Sequence, residues 1–592
     1  MNNQKTDDSL IIEIIERGQL GDILLSPLGL VTLISCIFLV GIYIKKGFSR
    51  RKKLARARWA GKKEKLAAQR QACKQLENAV YNEAAAYIST IAVDLPIRVK
   101  DKFLLRLPPS SKRLYLPDVN RGIFVGGSNG SGKSFSAINP LIRSQIDQAQ
   151  EIYLYDNKLD LGDKSQTARI AGYALERGYE VHLFAPGYPE SGIINPLDFL
   201  KDELDTSLAA QLAITINANF KSKSNKGDDF FQRAANLLTE GLFLYTKDTK
   251  HCDMLMCFAL LCLDNLPQRL YEARDVRNQK LPTAFSQLIG CRRSEKTAES
   301  ITASAFALFN SFVKWDLLPA FCGTTTVPLE SKRRKMIIFG SSEENREVTA
   351  PLIAAIIHLL VSKNMSSRRN HSLVCALDEF PTLYLPSLSR WLNEKREQGF
   401  IGILGLQEYS QLEEKYGKEA ANIIFTGCVT KLLFSTGSEI TADKFSKYLG
   451  EEEIINTRTN QTIGKSGNSR SIQQESAKRP LFEVSQFNTL PRGQAVVISP
   501  GFASNNQANL PLLHKFEMTD EIKELEARSV RRWNQYKQQL IARNLHKQMS
   551  YEDLESRIAE AKGILPTIAE INKIFMDNQP HLQRNNNQGD EQ

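Results

Sequence analysis

A glycine-rich loop that ends in lysine and serine is the clearest chemical signal in this 592-residue sequence. It follows the apolar run IFV and has the pattern GxxxxGK[ST], formed by Gly127, Ser128, Asn129, Gly130, Ser131, Gly132, Lys133 and Ser134. In such a loop, backbone N–H groups surround phosphate oxygens, the lysine contacts the β- and γ-phosphates, and the hydroxyl ligates Mg²⁺. The sequence therefore predicts a site for ATP and Mg²⁺, with Phe135, the next residue, also against the nucleotide.

Two acids that follow another apolar run are the expected second half of this site. The run Val374–Leu377 is followed directly by Asp378 and Glu379. In P-loop enzymes, one strand-end carboxylate completes the Mg²⁺ shell and a second can polarise the attacking water as general base. We assign Asp378 to the metal and Glu379 to the water. An Asp-Glu pair after a strand is weak evidence by itself, and the upstream loop makes it strong.

Two further polar residues flank the next apolar run. Gln407 ends that run, and the carboxyl ends of neighbouring parallel strands face the ligand crevice. Gln407 is therefore predicted to sense the γ-phosphate or the water, the alternative being a surface glutamine at a strand end. Arg396 precedes the run and is a candidate arginine finger for a neighbouring subunit's site. The alternative for Arg396 is an ordinary solvated arginine at a helix end.

The elements that must position these residues follow an alternating pattern. Short apolar runs alternate with helical patterns, which indicates an α/β domain with a mostly parallel sheet. The predicted strands are Gly122–Val125, Ile152–Tyr155, Glu180–Phe184, Met336–Phe339, Leu373–Leu377, Ile401–Leu406, Thr430–Phe434 and Ala495–Ile498. No strand pattern occurs between about Asp202 and Ala320, where Asp228–Tyr245 and Ala298–Lys314 read as helices. We interpret this block as an inserted all-α domain.

The C-terminal third combines predicted loops with charged helices. The segment Thr457–Arg479 is polar and rich in Ser, Asn and Gly, so we predict a loop there. Helices are predicted at Asp520–Arg543 and Ser550–Lys562, the second opened by a capping box from Ser550 to Asp553. The low-complexity tail at residues 578–592 is predicted to be disordered.

One segment near the N-terminus is long and apolar enough to span a membrane. Ile23–Ile44 contains 22 residues without a charge, about 33 Å as a helix against a hydrocarbon core of about 30 Å. Acidic residues dominate before it and basic residues after it, so the positive-inside rule places the N-terminus outside and the bulk in the cytoplasm. A cleaved signal peptide is the alternative, but the sequence lacks a basic n-region and the stretch is too long.

The net charge of +11 is concentrated next to this segment. Residues 45–74 contain thirteen Lys or Arg and one acid, so the rest of the chain sums to about −1. The folded body is therefore not generally basic, and any DNA contacts there would have to come from local patches. The basic run itself is read as a juxtamembrane segment near anionic lipid, with a DNA-binding arm as the alternative.

The blocks that carry these motifs resemble the type IV secretion coupling proteins, a family of conjugation and secretion ATPases. The resemblance covers about residues 115–515 and rests on seven blocks in order: GGSNGSGKS, YLYDNKLD, VHLFAPGYPESGIINPLDFL, DDFFQRAANLLTEGLFLY, ALDEFPTL, REQGFIGILGLQEYSQLEEKYG and KRPLFEVSQFNTLPRGQAVVISPG. The family usually has two membrane helices, whereas this sequence predicts one. The DNKLD block also departs from the family's D-x-K pattern, which here would be formed by Asp156 and Lys158.

The resemblance implies a RecA-like P-loop domain with an inserted all-α domain, in a homo-hexameric ring with ATP sites between subunits. It also implies the partners: single-stranded DNA with a relaxase, type IV secretion channel components and the inner membrane. The expected division of the chain is 1–22 outside, 23–44 membrane, 45–110 linker, 111–201 and 326–515 nucleotide-binding domain, 202–325 all-α domain, 516–577 helical extension and 578–592 tail.

Three functions are compatible with these features. The first is a ring ATPase that translocates DNA, with basic runs as candidate grips on the phosphate backbone: Lys221, Lys223 and Lys226, and Lys332, Arg333, Arg334 and Lys335. The alternative for both runs is that they are ordinary charged side chains in contact with solvent. The second is a membrane receptor for secreted substrates that uses ATP for assembly or gating. The third is a chromosome-segregation pump, which would share the P-loop but not the ALDEFPTL and KRPLFEVSQFNTLP blocks.

Overall fold

The chain is described here from a computed structural model. The model describes residues 57–78, 83–91, 93, 97–99, 102–104, 110, 112–220, 229–366, 369–464, 467–544 and 548–577, together with residues 35 and 38. Among these residues, no helix is both long and apolar enough to cross a lipid bilayer. The predicted span Ile23–Ile44 falls outside the described residues, apart from residues 35 and 38, as does the predicted disordered tail.

Fifteen strands occur in the described part of the chain. They are numbered in chain order: β1 Ala86–Ser89, β2 Ile97–Val99, β3 Lys102–Leu104, β4 Arg113–Leu116, β5 Ile123–Gly126, β6 Glu151–Asp156, β7 Glu180–Phe184, β8 Lys335–Gly340, β9 Leu373–Leu377, β10 Phe400–Leu406, β11 Thr430–Leu433, β12 Glu451–Gly464, β13 Gly467–Pro480, β14 Gln494–Ile498 and β15 Pro511–Lys515. All eight predicted strands are confirmed, and every predicted end lies within one residue of the observed one.

Nine of these strands form one large sheet in the order β15-β14-β11-β5-β10-β9-β6-β8-β7. The seven strands from β11 to β7 are parallel, while β14 and β15 add to one edge in antiparallel orientation. The parallel strands are almost wholly buried because helices cover both faces, and this accounts for their continuous apolar runs. Neighbours β5, β10, β9 and β6 therefore bring their carboxyl ends to one edge of the sheet.

Eighteen α-helices lie in the described residues. Their bounds are Lys62–Asn78, Asn139–Asp147, Gln166–Glu176, Thr206–Phe220, Asp229–Lys247, Met254–Leu261, Leu266–Tyr271, Ser286–Gly290, Glu295–Phe312, Arg346–Asn364, Leu388–Glu394, Tyr409–Tyr416, Lys418–Gly427, Glu439–Leu449, Val484–Asn488, Asp520–Arg543, Tyr551–Ile564 and Ile568–Asp577. Both helices predicted for the inserted block are among them, as are the two predicted C-terminal helices, and the capping box of Ser550 and Asp553 is present.

The inserted block contains helices and no strand between β7 and β8 in the residues that the structure describes. Its apolar side chains, such as Leu212 and Leu242, join one continuous core with Phe124 and Tyr153 from the sheet. The alternate side chains of the same strands, such as Ile123 and Ile152, belong to the core on the opposite face. The two cores follow from the period of two along each strand, which sends successive side chains to opposite faces. The helical block therefore packs directly on one face of the sheet.

The segment at residues 84–93 is too short to span a membrane and forms β1, which pairs antiparallel with β4. The N–H of Tyr87 donates to the hydroxyl of Ser144 at 3.0 Å, so the pair packs against the helix that follows the glycine-rich loop. This pairing explains the mildly apolar character of the segment, since three of the four β1 residues are buried.

The segment Gly450–Leu481 belongs to a second compact unit. Within it, β12 and β13 pair antiparallel over fourteen residues each, from Glu451↔Pro480 to Gly464↔Gly467. The prediction of a loop over Thr457–Arg479 is therefore wrong. Backbone hydrogen bonds form a two-stranded ribbon with few apolar side chains, whereas the prediction relied on the polar composition of the segment, which is typical of loops.

Candidate nucleotide-binding site

The glycine-rich loop joins β5 to a helix, as the motif requires. The helix begins with a π-helical turn, Ser134–Ile138, and continues as Asn139–Asp147. Gly130 and Gly132 have φ of +80° and +94°, conformations that side chains other than glycine rarely adopt. A Cβ on Gly132 would also lie 3.2 Å from the backbone nitrogen of Gly493. The loop conformation thus depends on these two glycines.

Neighbouring segments hold the loop through its backbone. The N–H of Gly127 donates to the carbonyl of Leu406 at 3.2 Å, and that of Ser128 to the carbonyl of Ser435 at 2.8 Å. From the other side, the N–H of Gly493 donates to the carbonyl of Ser131 at 3.0 Å. The loop is therefore anchored to the ends of β10 and β11 and to the turn before β14. Sequence analysis did not single out Gly493, although a glycine just before an apolar run marks a tight turn.

Ser134 and Asp378 meet at the carboxyl edge of the sheet. The Ser134 hydroxyl donates to Oδ2 of Asp378 at 2.6 Å. The other carboxylate oxygen of Asp378 is buried and has no hydrogen-bond partner among the described residues. A buried carboxylate oxygen without a partner is costly unless a cation or donor completes it. Oxygen ligands from a hydroxyl and a carboxylate suit Mg²⁺, so these two residues fit the predicted metal position.

Glu379 lies in the same cluster and is buried. Its Oε2 accepts from Nε2 of Gln407 at 2.7 Å and lies 3.8 Å from Nζ of Lys133. Burial raises the pKa of Glu379 above its ordinary value, while the charge of Lys133 and the Gln407 hydrogen bond act in the opposite direction. The structure thus brings together Lys133, Ser134, Asp378, Glu379 and Gln407, which the sequence places in three separate motifs.

Asp156 ends β6 beside this cluster, but its carboxylate is already satisfied. It accepts from the backbone N–H of Lys158 at 3.1 Å and from the N–H and hydroxyl of Thr167 at 2.8 and 2.7 Å. Burial raises the pKa of Asp156. The side chain of Lys158 is exposed, and its charge helps to lower the pKa of Glu379. Asp156 therefore fixes the turn after β6, and Lys158 is the member of this pair whose charge reaches the cluster.

Phe135 is half-buried at the start of the helix after the loop. It lines a cavity of about 210 Å³ together with Ser136, Phe516 and Arg113. The cavity lies beside the start of the helix that follows the glycine-rich loop, and no residue of Gly127–Ser134 is among those that line it. The contact of Phe135 with a nucleotide therefore stays a prediction.

Arg396 is not part of this cluster within one chain. It is exposed in the turn Lys395–Gln398, just before the amino end of β10, whereas Gln407 follows the carboxyl end. A seven-residue strand separates the two by about 20 Å. The role of Arg396 in a neighbouring subunit's site stays a prediction.

The two basic runs that were predicted to grip DNA differ in what the structure says about them. Lys221, Lys223 and Lys226 lie outside the described residues. Lys335 begins β8 and is fully buried, with its Nζ 3.0 Å from the buried Glu151, so its prediction as a DNA grip is wrong. A lysine inside the fold cannot reach a phosphate backbone, and this one neutralises a buried carboxylate. Its neighbour Lys332 is exposed and pairs with Glu180 at 2.7 Å.

Comparison with known proteins decides the family. Residues 115–511 match the family described as the type IV secretion-system coupling protein DNA-binding domain. The chain belongs to this family. The matched residues include the glycine-rich loop, the two acids after β9, Gln407 and the whole helical block.

Sequence identity to an individual coupling protein is low. The chain is 23% identical to the coupling protein TraD of Escherichia coli (strain K12) over 391 residues, which cover 61% of this chain and 52% of TraD. The match therefore spans about half the length of that relative.

Solved structures of the conjugative coupling protein TrwB share the fold. An unbound form has a TM-score of 0.53 and 17% identity, and covers 69% of this chain and 88% of TrwB. A complex of TrwB with ADP and Mg²⁺ has a TM-score of 0.53 and 16% identity, covering 73% and 90%. A complex with a non-hydrolysable ATP analogue has a TM-score of 0.52, 16% identity, and coverage of 68% and 86%. At these identities the likeness shows a common α/β architecture with a large parallel sheet.

Proposed function

We propose that this chain is an ATP-hydrolysing coupling protein that recruits DNA or a nucleoprotein and drives it into a type IV secretion channel. The observation that carries the proposal is the convergence of Lys133, Ser134, Asp378, Glu379 and Gln407 at one sheet edge. Membership of the coupling-protein family supports the assignment, and TrwB, which shares the fold, binds ADP with Mg²⁺ and an ATP analogue.

Each residue of the cluster has a role in hydrolysis that follows from its position. Backbone N–H groups of the loop and the charge of Lys133 hold the phosphates of ATP. Ser134 and Asp378 would hold Mg²⁺, which when bound neutralises charge on the β- and γ-phosphates. Glu379 accepts a proton from the water that attacks the γ-phosphorus, and Gln407 holds the Glu379 carboxylate in place.

Lys133 has to change partners when ATP binds. In the structure its ammonium group lies 3.8 Å from Glu379, at a side-chain exposure of 7%. Phosphate oxygens would draw the lysine toward the loop, and Glu379 would then be free to accept a proton. Glu379 and the phosphates of ATP are therefore alternative partners for the ammonium group of Lys133.

The membrane anchor and the assembly belong to the same proposal. Ile23–Ile44 would anchor the chain in the inner membrane as a single pass, with the N-terminus outside and the bulk in the cytoplasm. Arg396 is exposed and lies far from the nucleotide-binding cluster of its own chain. In a homo-hexamer it would be free to lie near the nucleotide of the next subunit. A relaxase on single-stranded DNA would be the substrate.

A membrane receptor is the second candidate, in which ATP serves assembly or gating. The charge distribution favours it: outside residues 45–74 the chain sums to about −1, which is unusual for a protein that grips DNA directly. Both candidates use the same nucleotide site. The motor predicts that DNA changes the rate of ATP hydrolysis, and the receptor predicts that it does not.

The test is the rate of ATP hydrolysis by the full-length protein with and without DNA. A DNA motor is expected to show stimulation by single-stranded or double-stranded DNA that declines as salt increases, because backbone contacts release counterions. Hydrolysis that neither kind of DNA changes would contradict the motor and favour the receptor. A pyrimidine-rich and a mixed-sequence oligonucleotide of equal length would check that any stimulation is independent of sequence.

A further inference from the structure

The segment after Glu379 forms a short, tightly bonded turn. The carbonyl of Glu379 accepts from the N–H of Thr382 at 3.1 Å and from its hydroxyl at 2.7 Å. The carbonyl of Phe380 accepts from the N–H of Leu383 at 3.0 Å. We call Glu379–Leu385 the catalytic turn. These consecutive bonds fix the backbone from Glu379 to Leu383.

The far end of the catalytic turn is bonded to the helical block by one side chain, Asn219. Its Nδ2 donates to the carbonyl of Tyr384 at 2.8 Å, and its Oδ1 accepts from the N–H of Tyr384 at 2.9 Å. Nδ2 also donates to the carbonyl of Thr215 at 2.9 Å, which fixes the amide on its own helix, Thr206–Phe220. A side-chain amide has N–H donors and an oxygen acceptor, and here both kinds are used on the backbone of one residue, Tyr384.

The opposite side of the turn is held by Tyr416. Its hydroxyl donates to the carbonyl of Leu383 at 2.9 Å and accepts from the N–H of Leu385 at 3.1 Å. Its ring also lies 5.2 Å from that of Tyr384, centroid to centroid. Tyr416 ends the helix Tyr409–Tyr416, which begins two residues after Gln407. Gln407, which donates to Glu379, thus lies two residues before a helix whose last residue holds the turn.

The helical side of the link continues beyond Asn219. Nδ2 of Asn217 donates to Oδ1 of Asn236 at 2.7 Å, which ties the end of the helix Thr206–Phe220 to the helix Asp229–Lys247. The ring of Phe220 lies 4.9 Å from that of Phe312 in a T-shaped arrangement. The end of the helix that carries Asn219 is therefore joined to two other long helices of the block.

We propose that Asn219 is a positioning residue that couples the nucleotide state of the Glu379 site to the helical block. When ATP draws Lys133 away from Glu379, the carboxylate loses one of its two partners, and the catalytic turn adjusts. The two hydrogen bonds between Asn219 and the Tyr384 peptide pass this adjustment to the helix Thr206–Phe220. The proposal rests on nucleotide binding at the proposed site and adds the element that responds to it.

The experiment is hydrogen exchange of the full-length protein with and without a Mg²⁺-bound, non-hydrolysable ATP analogue. In the wild type, the analogue is expected to slow exchange in the glycine-rich loop and to change exchange in the helix Thr206–Phe220 by about threefold or more. In Asn219→Ala the loop response stays and the helix response is lost. Asn219→Asp is nearly isosteric and keeps the acceptor for the N–H of Tyr384 but loses the donor to its carbonyl, so the helix response should be reduced. This variant serves as the test if Asn219→Ala fails to fold.

The matched control is Asn217→Ala. It removes a side-chain hydrogen bond from the same helix, two residues away, without a contact to the catalytic turn. Its helix is expected to respond to the analogue as in the wild type. A helix response that survives in Asn219→Ala, or that is lost equally in Asn217→Ala, would overturn the proposal. If the analogue changes hydrogen exchange in the wild-type loop but not in the wild-type helix, only the coupling is overturned. If exchange in the loop does not change either, the nucleotide site is contradicted as well.

Discussion

Glu379 has to be ionised to accept a proton, and its surroundings oppose ionisation. The carboxyl is 7% exposed and lies close to a second acid, Asp378, so burial and the neighbouring charge both raise its pKa. Lys133 and Gln407 favour the ionised form and limit the shift. Such a balance suits a general base, because a carboxylate with a raised pKa is a stronger proton acceptor than one with an ordinary pKa.

The pH dependence of hydrolysis follows from this balance. The rate should fall as pH decreases through the raised pKa of Glu379, since the protonated carboxyl cannot accept a proton. Gln407→Leu removes a hydrogen bond that favours the carboxylate, so it should raise the pKa further and move the acidic limb of the kcat profile to higher pH. The measurement is kcat against pH for both proteins.

Gln411→Leu is the control for this shift, because Gln411 is exposed on the helix that follows Gln407. Its acidic limb should coincide with that of the wild type. An unchanged limb in Gln407→Leu would show that the hydrogen bond seen at 2.7 Å does not act on the catalytic carboxylate.

At the scale of elements, the C-terminal helix Asp520–Arg543 packs unusually closely on the helix Gln166–Glu176. A Cβ added to Gly172 would lie 1.9 Å from the carbonyl oxygen of Ser529. The Ser529 hydroxyl donates to the carbonyl of Ala168 at 3.0 Å and accepts from the N–H of Tyr173 at 2.9 Å. Close approach of the two backbones makes these hydrogen bonds possible, and only glycine permits that approach.

Gly172→Ala should therefore push the C-terminal helix away from its site. We expect the free energy of unfolding to decrease by roughly 1–3 kcal/mol, as for other overpacked cores. Chemical denaturation measures this change, and limited proteolysis should show earlier cleavage near residue 518. Gly563→Ala, in a helix where an added Cβ meets no atom within 4 Å, is the matched control and should be neutral or slightly stabilising. Equal stability of the two variants would contradict the close packing.

The sequence predicts buried elements of this fold better than exposed ones. The strand β9 is predicted to the residue because all five of its side chains are buried and apolar. The strand β15 is missed because it begins with Pro511 and alternates between half-buried and exposed side chains at the sheet edge. The ribbon β12–β13 is missed for a related reason, since its stability comes from the backbone and its composition resembles that of a loop.

The residues of the candidate site also differ in how well the sequence predicts them. The glycine-rich loop, Asp378, Glu379 and Gln407 carry local signals, because each stands at the end of an apolar run. Asn219 and Tyr384 carry none, because an asparagine near a helix end and a tyrosine in a turn are common surface residues. Their pairing spans 165 positions and depends on how the helical block lies on the sheet. Long-range pairs of polar residues are therefore seen only in the folded chain.

At the scale of the whole molecule, the C-terminal extension joins the sheet domain to the helical block. Its first helix is linked to the helix after the glycine-rich loop by a buried ion pair, Arg143–Glu526, at 3.1 Å. Its later helices contact the helical block through Arg557–Asp253 at 2.7 Å and Arg269–Glu570 at 2.7 Å. Arg557–Asp253 is buried like Arg143–Glu526, and removing one partner of such a pair would leave a buried charge unpaired, whereas Glu570 is partly exposed.

The extension and the Asn219 link thus connect the same two parts of the molecule along different routes. One route starts at the helix that follows the glycine-rich loop, and the other starts at Glu379. Any nucleotide-dependent movement of the helical block relative to the sheet would have to be accommodated by both routes.

The most direct test of the account is turnover by Glu379→Gln at a concentration of MgATP that saturates the variant in calorimetry. We expect Glu379→Gln to bind MgATP with nearly wild-type affinity, because the loop, Lys133, Ser134 and Asp378 are intact. We also expect kcat to decrease by at least about 10²-fold, because no general base remains. A variant that saturates with MgATP and still hydrolyses it at the wild-type rate would contradict the central role of Glu379.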